Sequence, residues 1–189
     1  MGRNTPLRKF LKSHALLDPN TTTELVHAAE SGQPFQQSNA AQTHTANYDN
    51  VTNSVGRALV DMAQRNGWDP LDIAMIFSFE TKGTLNINTP GEGAAKGRIG
   101  WIQAGQWERD TYGLGSGDPM EEITAVEKYL IDRGAKPGHG LADLYSAVNS
   151  GRAWLGHTPD GNGRIPRHPD VLKEIRLHRA NAVKFFGFN

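Results

Sequence analysis

Asp69 and Pro70 open the segment that leaves this chain the fewest choices, DPLDIAMIFSFETKG over residues 69–83. An Asp before a Pro suits the N-cap and first position of a helix and Gly83 suits its stop, so a helix running to Lys82 is predicted. Ile73, Ile76 and Phe77 share one face at the i, i+3, i+4 spacing of a buried stripe, and the next place in that row, i+7, is Glu80. A carboxylate thus closes an apolar face on the last turn of a helix. Burial beside Phe77 and Phe79 and the negative end of the helix dipole both disfavour its ionised form, so its pKa is expected to rise. A carboxyl that keeps its proton near neutral pH is what a general acid requires. The plainer alternative is that Glu80 turns outward or caps a neighbouring loop.

The residues that follow favour the first reading. After Glu80 come Thr81-Lys82-Gly83-Thr84, then the polar, Gly- and Pro-containing loop Asn88-Thr89-Pro90-Gly91-Glu92-Gly93, then Gly100-Trp101-Ile102-Gln103. This arrangement resembles the lysozyme-like superfamily and, within it, the lytic transglycosylases of bacteriophages and bacteria. Members carry a catalytic Glu followed by Ser or Thr at a helix end, a Gly-rich loop, and a Gly-Leu-Ile-Gln or Gly-Leu-Met-Gln element farther on. Here Trp101 replaces the usual Leu. The resemblance implies a mainly α, lysozyme-like (α+β) fold with a small β wing beside the cleft, Glu80 as catalytic residue, and Thr81, Gly100, Trp101, Ile102 and Gln103 at the substrate.

The second element also has a physical sense of its own. A Gly lets backbone pass close to a ligand, and the Gln103 amide offers a donor and an acceptor to a sugar. Trp101, and after it Trp154, is expected to stack on a sugar ring, with two of the four tryptophans in the core. The plainer alternative for Gly100–Gln103 is a turn into a short helix over 103–111, with Ile102 and Trp107 in the core.

A chain of 189 residues suffices for one domain and an appended segment. Twenty basic residues balance twenty acidic ones, so neither nucleic acid nor an anionic membrane is an expected partner. There are no cysteines, which excludes a disulfide framework and Cys-based zinc sites. The seven histidines show no metal-binding spacing, and neither metal nor cofactor is expected. The basic N-terminal stretch lacks the apolar core of a signal peptide, and no stretch is long enough to span a bilayer. If the substrate is cell wall, the route to it is then a phage virion, release from the host cytoplasm after membrane lysis, or a dedicated secretion machine.

Residues 1–48 read as an extension or linker. Thr22–Ala29 is a short amphipathic piece, and Gln33–Asn50 is polar with Phe35 and Tyr48 as its only large apolar residues. The segment either docks onto partners such as virion proteins or wraps the catalytic domain, which is placed at 49–189. Val51, Val55, Ala58, Leu59 and Met62 form a helical stripe ending at Gly67. Thr84–Thr89 alternates in the manner of a short strand. Asp118-Pro119 starts another helix, with Glu121 placed as in a capping box and Ile123, Val126, Glu127 and Leu130 on one side. Its Val126–Leu130 segment is similar to one in phage members of the family.

Leu141, Leu144, Tyr145 and Val148 mark the next helix. Its end, Ala147-Val148-Asn149-Ser150-Gly151, resembles the Ala-Tyr-Asn-Ala-Gly element of lytic transglycosylases, in which the Tyr and Asn line the cleft. Val148 stands where the Tyr belongs, so Asn149 carries over and Tyr145, one turn earlier, is either a substitute hydroxyl or a core residue. Asp160-Gly161-Asn162-Gly163 matches the start of a calcium loop, but Arg164 and Val171 occupy ligand positions, and a plain turn is expected. One last helix from Pro169 should turn Leu172, Ile175, Ala182 and Phe186 inward, with Arg176 and Arg179 facing solvent.

Ordinary glycosidases need two carboxylates. Glu92 is the only other acid between Thr81 and Trp107, and the resembling family does not use that loop position. A single effective carboxylate favours a lytic transglycosylase acting on peptidoglycan glycan strands, Glu80 serving as acid and then base. With Glu92 or a positioned water as partner, the alternative is a hydrolytic muramidase or related chitinase. An inactive glycan-binding or structural virion component is the alternative outside enzymes.

Overall fold

The computed structural model describes residues 48–92, 96–153 and 168–188. The chain divides into two units, Met1–Thr45 and Ala46–Asn189, and the described residues belong to the second. The readings made on residues 1–47, on Gly93, and on Trp154 and Asp160–Gly163 lie outside them.

The described residues are mainly helical. After a single 3₁₀ turn at Tyr48–Asn50 come α1 (Ser54–Arg65), α2 (Pro70–Glu80), α3 (Gln106–Tyr112), α4 (Pro119–Asp132), α5 (Leu141–Ser150), α6 (Pro169–Leu177) and α7 (Arg179–Phe185). The helix at 70–80 is the centre of this second unit. Asp69 caps it through Leu71 N–H at 2.9 Å and accepts a second hydrogen bond from the Tyr48 hydroxyl at 3.1 Å. Periodicity gave α2 one apolar face, yet Leu71 and all of Ile73–Ser78 are buried. The reason is enclosure: α1, α5, α6 and α7 all pack against it, and a helix wrapped on every side buries every side.

This helix ends two residues earlier than the Gly83 stop suggested. Thr81 is its C-cap, Lys82 N–H bonds Phe79 C=O at 3.1 Å, and Gly83 N–H bonds Ser78 C=O at 2.7 Å. That is a Schellman closure in which Lys82, at φ +53°, occupies the left-handed position usually given to Gly. Glu80 is therefore the last helical residue, held by two crossing backbone bonds just beyond it.

Side-chain caps set the other helix starts. Asn53 accepts from Gly56 N–H at 2.6 Å, so α1 begins at Ser54 and Val51 joins the core from outside the helix. Asp118 accepts from Met120 and Glu121 N–H at 2.7 and 3.1 Å. The first residue of α5 has no cap from its own segment. Its N–H instead bonds the Asp72 carboxylate of α2, tying the two helices end to side. The single C-terminal helix that was expected is two, α6 and α7, broken at His178. Leu172, Ile175, Ala182 and Phe186 are nonetheless buried, and Arg176 and Arg179 exposed.

The expected β wing is corrected: among the described residues there is no strand, and 84–89 is irregular apart from a turn at 87–88. Asn86 N–H bonds Thr84 Oγ1 at 3.2 Å, Asn88 N–H bonds Asn86 Oδ1 at 2.9 Å, and the Thr84 and Thr89 hydroxyls meet at 2.7 Å. Short polar side chains that capture backbone donors compete with a ladder, which alternation alone does not reveal. What remains is one antiparallel bridge, Ile99–Ala104, with Gly91 N–H to Arg98 C=O at 2.9 Å and Gly100 N–H to Ile87 C=O at 3.2 Å.

Asp72 makes the stability of this core pH-dependent. Desolvation, and then the charge of Asp69, raise its pKa to about 6. A folded pKa above the unfolded value of about 3.9 means that its contribution is fully present below pH ~4 and is lost as pH rises through ~6. Asp72→Asn keeps an oxygen for Leu141 N–H and removes the charge. It should raise the unfolding free energy by about 1–3 kcal/mol at pH 7.5 and leave it unchanged near pH 3.5, solvent access to this half-buried group setting the lower figure. Urea titrations at the two pH values check this, and an equal effect at both would disprove it.

Candidate active site

Glu80 is half-buried at the end of α2. The ring of Phe79 beside it meets Tyr145 and His178 edge-on, both at 5.6 Å. Tyr145 is fully buried on α5, and half-buried Asn149, one turn on, donates to its hydroxyl across a long 3.4 Å. The fold thus brings the last turn of α2 and the second half of α5 together, with Tyr145 and Asn149 on the turn beside Phe79. Tyr145 packs in the core, and its hydroxyl is turned to Asn149.

Thr81 is fully buried rather than presented to a ligand. Its hydroxyl donates to Phe77 C=O at 2.7 Å and accepts from Leu85 N–H at 3.0 Å. These bonds lock the helix end that carries Glu80.

Gly100–Gln103 is an internal brace. Trp101 is 3% exposed, stacked on Phe77 at 5.0 Å and edge-on to Phe185 at 5.2 Å, with its indole N–H donated to Leu85 C=O at 2.9 Å. Ring and donor are both engaged within the core. Ile102 is buried as well. The Gln103 amide donates to Thr89 C=O and Gly100 C=O, both at 3.1 Å, so its N–H groups hold the loop together instead of facing a sugar. Gln103 does this at φ +52°, a left-handed backbone that costs a non-Gly residue about 1–2 kcal/mol. The close approach that Gly100 permits is to another side chain of the protein: a Cβ there would stand 2.3 Å from the Glu122 carboxylate.

Glu122 lies outside every motif that carries the resemblance. It is fully buried on α4 and accepts from Trp101 N–H at 3.2 Å and Gly115 N–H at 2.6 Å, one backbone donor for each oxygen. Burial pushes its pKa up, against those two hydrogen bonds. The signal was present, since Glu122 stands in the i, i+4, i+8 row with Val126 and Leu130, a carboxylate on an apolar helical face as Glu80 is. The two acids differ in access: Glu122 has no exposed surface and fastens the Gly100 turn, while Glu80 keeps part of its surface open.

Two further features bear on the chemistry. His178, at the break between α6 and α7, pairs its Nδ1 with the Ser78 hydroxyl at 2.9 Å, and burial lowers its pKa. Glu92 is exposed and ion-paired with Lys82, which holds its carboxyl below the usual range. It is an ionised surface group rather than a protonated acid. Among the described residues there is no cluster of three or more His, Asp or Glu suited to a metal ion, and no helix long and apolar enough to cross a membrane. No protein-family model, curated protein or solved structure matches this chain.

Proposed function

We propose that this protein is a peptidoglycan lytic transglycosylase with a lysozyme-like fold, cleaving the β-1,4 bond between N-acetylmuramic acid and N-acetylglucosamine. The observation that carries the proposal is the position of Glu80: the last residue of a helix enclosed by four others, half-buried beside Phe79, with Asn149 and Tyr145 on the facing helix. In this reading the Glu80 carboxyl protonates the glycosidic oxygen as the C1–O bond breaks. Its carboxylate then takes the proton of the C6 hydroxyl of the same muramic acid while O6 bonds C1. The acid is regenerated, no water is consumed, and a 1,6-anhydro end results.

The state of Glu92 supports a single-carboxylate route, because a solvated group paired with Lys82 is poorly suited to act on a sugar from within a cleft. Glu92→Gln should accordingly leave turnover within about twofold, as for other exposed substitutions, measured as fragment release from purified peptidoglycan. A loss of tenfold or more would return Glu92 to the mechanism. The natural setting of such an enzyme is a phage virion, or the host cytoplasm before release to the wall, with residues 1–48 docking onto virion proteins in the first case.

Mass spectrometry of the released fragments tests the proposal. Anhydromuramic ends, lighter by one water than hydrolysed ends, are expected. Reducing ends would make the protein a muramidase, and binding without release would make it an inactive glycan-binding component.

A further inference from the structure

The start of α5 is held from another helix. Gly140 stands at its N-cap position, φ −99° and ψ −168°, and offers no side chain to the helix. The Leu141 N–H is bonded instead by the Asp72 carboxylate, from the first turn of α2. A Cβ added at Gly140 would stand 3.7 Å from Asp72 Oδ2, so the carboxylate sits directly over the start of α5, where it also meets the positive end of the helix dipole. Two turns farther on, α2 carries Phe79, whose ring meets Tyr145 of α5 edge-on at 5.6 Å. The two helices are thus joined at two stations, about 10 Å apart along α2 and about 6 Å apart along α5.

A single contact between two helices leaves them free to slide and tilt, and a second one at a distance restricts both. The two stations here differ in kind. Ring pairs are favourable with centroids anywhere from about 4.5 to 7 Å apart, whereas a hydrogen bond holds donor and acceptor to within about 0.5 Å. The height of α5 on α2 is therefore set at Asp72, and with it the place of Tyr145 beside Phe79 and of Asn149, which donates to the Tyr145 hydroxyl.

Stability does not account for this carboxylate. Desolvation and the charge of Asp69 raise its pKa to about 6, so the ionised form present at neutral pH lowers the stability of the fold. Tyr48 faces it from the 3₁₀ turn, and Arg176 of α6 and Arg179 of α7 offset part of that cost with the opposite charge. A group that joins the helix of Glu80 to its neighbour while costing stability has the character of a site residue. We propose that Asp72 is a positioning residue of the Glu80 site, holding α5 at the height on α2 at which Tyr145 and Asn149 stand by the turn that carries the acid. About 12 Å from Glu80 along the axis, it touches no reacting atom and acts through α5. The inference rests on the glycan-cleaving function proposed above.

The test compares wild type, Asp72→Ala and Asp72→Asn at pH 7.5, by fragment release from sonicated peptidoglycan at several loads and by hydrogen exchange of peptides covering 141–149. In Asp72→Ala, kcat should fall about tenfold with KM within about twofold, as for a misplacement of less than 1 Å. Exchange at the start of α5 should quicken about tenfold in the same protein. Asp72→Asn keeps an oxygen for Leu141 N–H, so it should restore both kcat and exchange to within about threefold of wild type. Active wild type together with an unchanged kcat in Asp72→Ala would overturn the positioning role alone, and so would equal losses in the Ala and Asn proteins. Urea titration gives the folded fraction under the assay conditions, and a kcat loss no larger than the unfolded fraction would make Asp72 a structural residue only. A wild type that releases nothing would overturn the parent reading and the role of Asp72 with it.

Discussion

Glu80→Gln is expected to lower fragment release from peptidoglycan by about 10²–10⁴-fold, the usual contribution of a positioned acid–base group, without loosening the fold. Gln has the size of Glu and can still accept and donate hydrogen bonds at the end of α2, but it cannot surrender a proton to a leaving oxygen or reclaim one from a C6 hydroxyl. Thermal unfolding should be unchanged to within a few degrees, as for a half-buried position whose packing is conserved. Retained affinity for chitohexaose would complete the separation of binding from chemistry. Glu80→Asp is the companion test: it keeps the carboxyl but withdraws it by one methylene, and a misplacement of about 1 Å can cost as much as 10²-fold. Release within tenfold of wild type by the Gln protein would remove Glu80 from the mechanism, whatever its place on the helix.

The helical framework was legible where a cap stands next to an apolar period. Asp69-Pro70 and Asp118-Pro119 mark two helix starts to the residue, and Leu172, Ile175, Ala182 and Phe186 face inward as their spacing implies. Features set by long-range partners were not legible. His178 interrupts the last helix while engaging Ser78, a hundred positions away in the chain, and nothing local announces it. The strand reading of 84–89 failed because Thr and Asn hydroxyls and amides took the backbone donors.

The candidate site divides the same way. Glu80 at a helix end was legible from periodicity, and its chemistry is a proposal. The partners of Gly100–Gln103 were not, because the motif names the residue types and leaves the direction of each side chain open. Trp101 and Trp107 are six positions apart, and each has the surroundings expected of the other: Phe77 and Phe185 enclose the first, while the second stands on Arg133 in solvent. Periodicity offers no means of separating them, since neither lies in a long amphipathic run.

Gly100→Ala should be the most destabilising small substitution in the Gly100–Gln103 turn, by about 2–5 kcal/mol. The left-handed backbone, φ +86°, accounts for about 1–2 kcal/mol of that, and overlap of the new methyl with the Glu122 carboxylate for about 1–3 more. A side-chain tip usually yields to a methyl group, but this one has nowhere to go: Glu122 is fully buried, and moving it would strip Trp101 N–H and Gly115 N–H of their acceptor. Each buried donor so orphaned costs about 1–3 kcal/mol. Gly113→Ala supplies the control, because Gly113 has a similar φ of +82° with nothing within 4 Å of a new Cβ, so it should lose only the backbone share. Urea denaturation of the two variants measures the difference directly, and equal losses would mean that Glu122 does not constrain the turn. Coupling offers a second reading of the same contact. Glu122→Ala alone leaves both N–H groups unsatisfied, yet in the Gly100→Ala background it also removes the overlap, so the double variant should be more stable than the sum of the single losses predicts. Strict additivity would separate the two residues and return Gly100 to the role of an ordinary turn glycine.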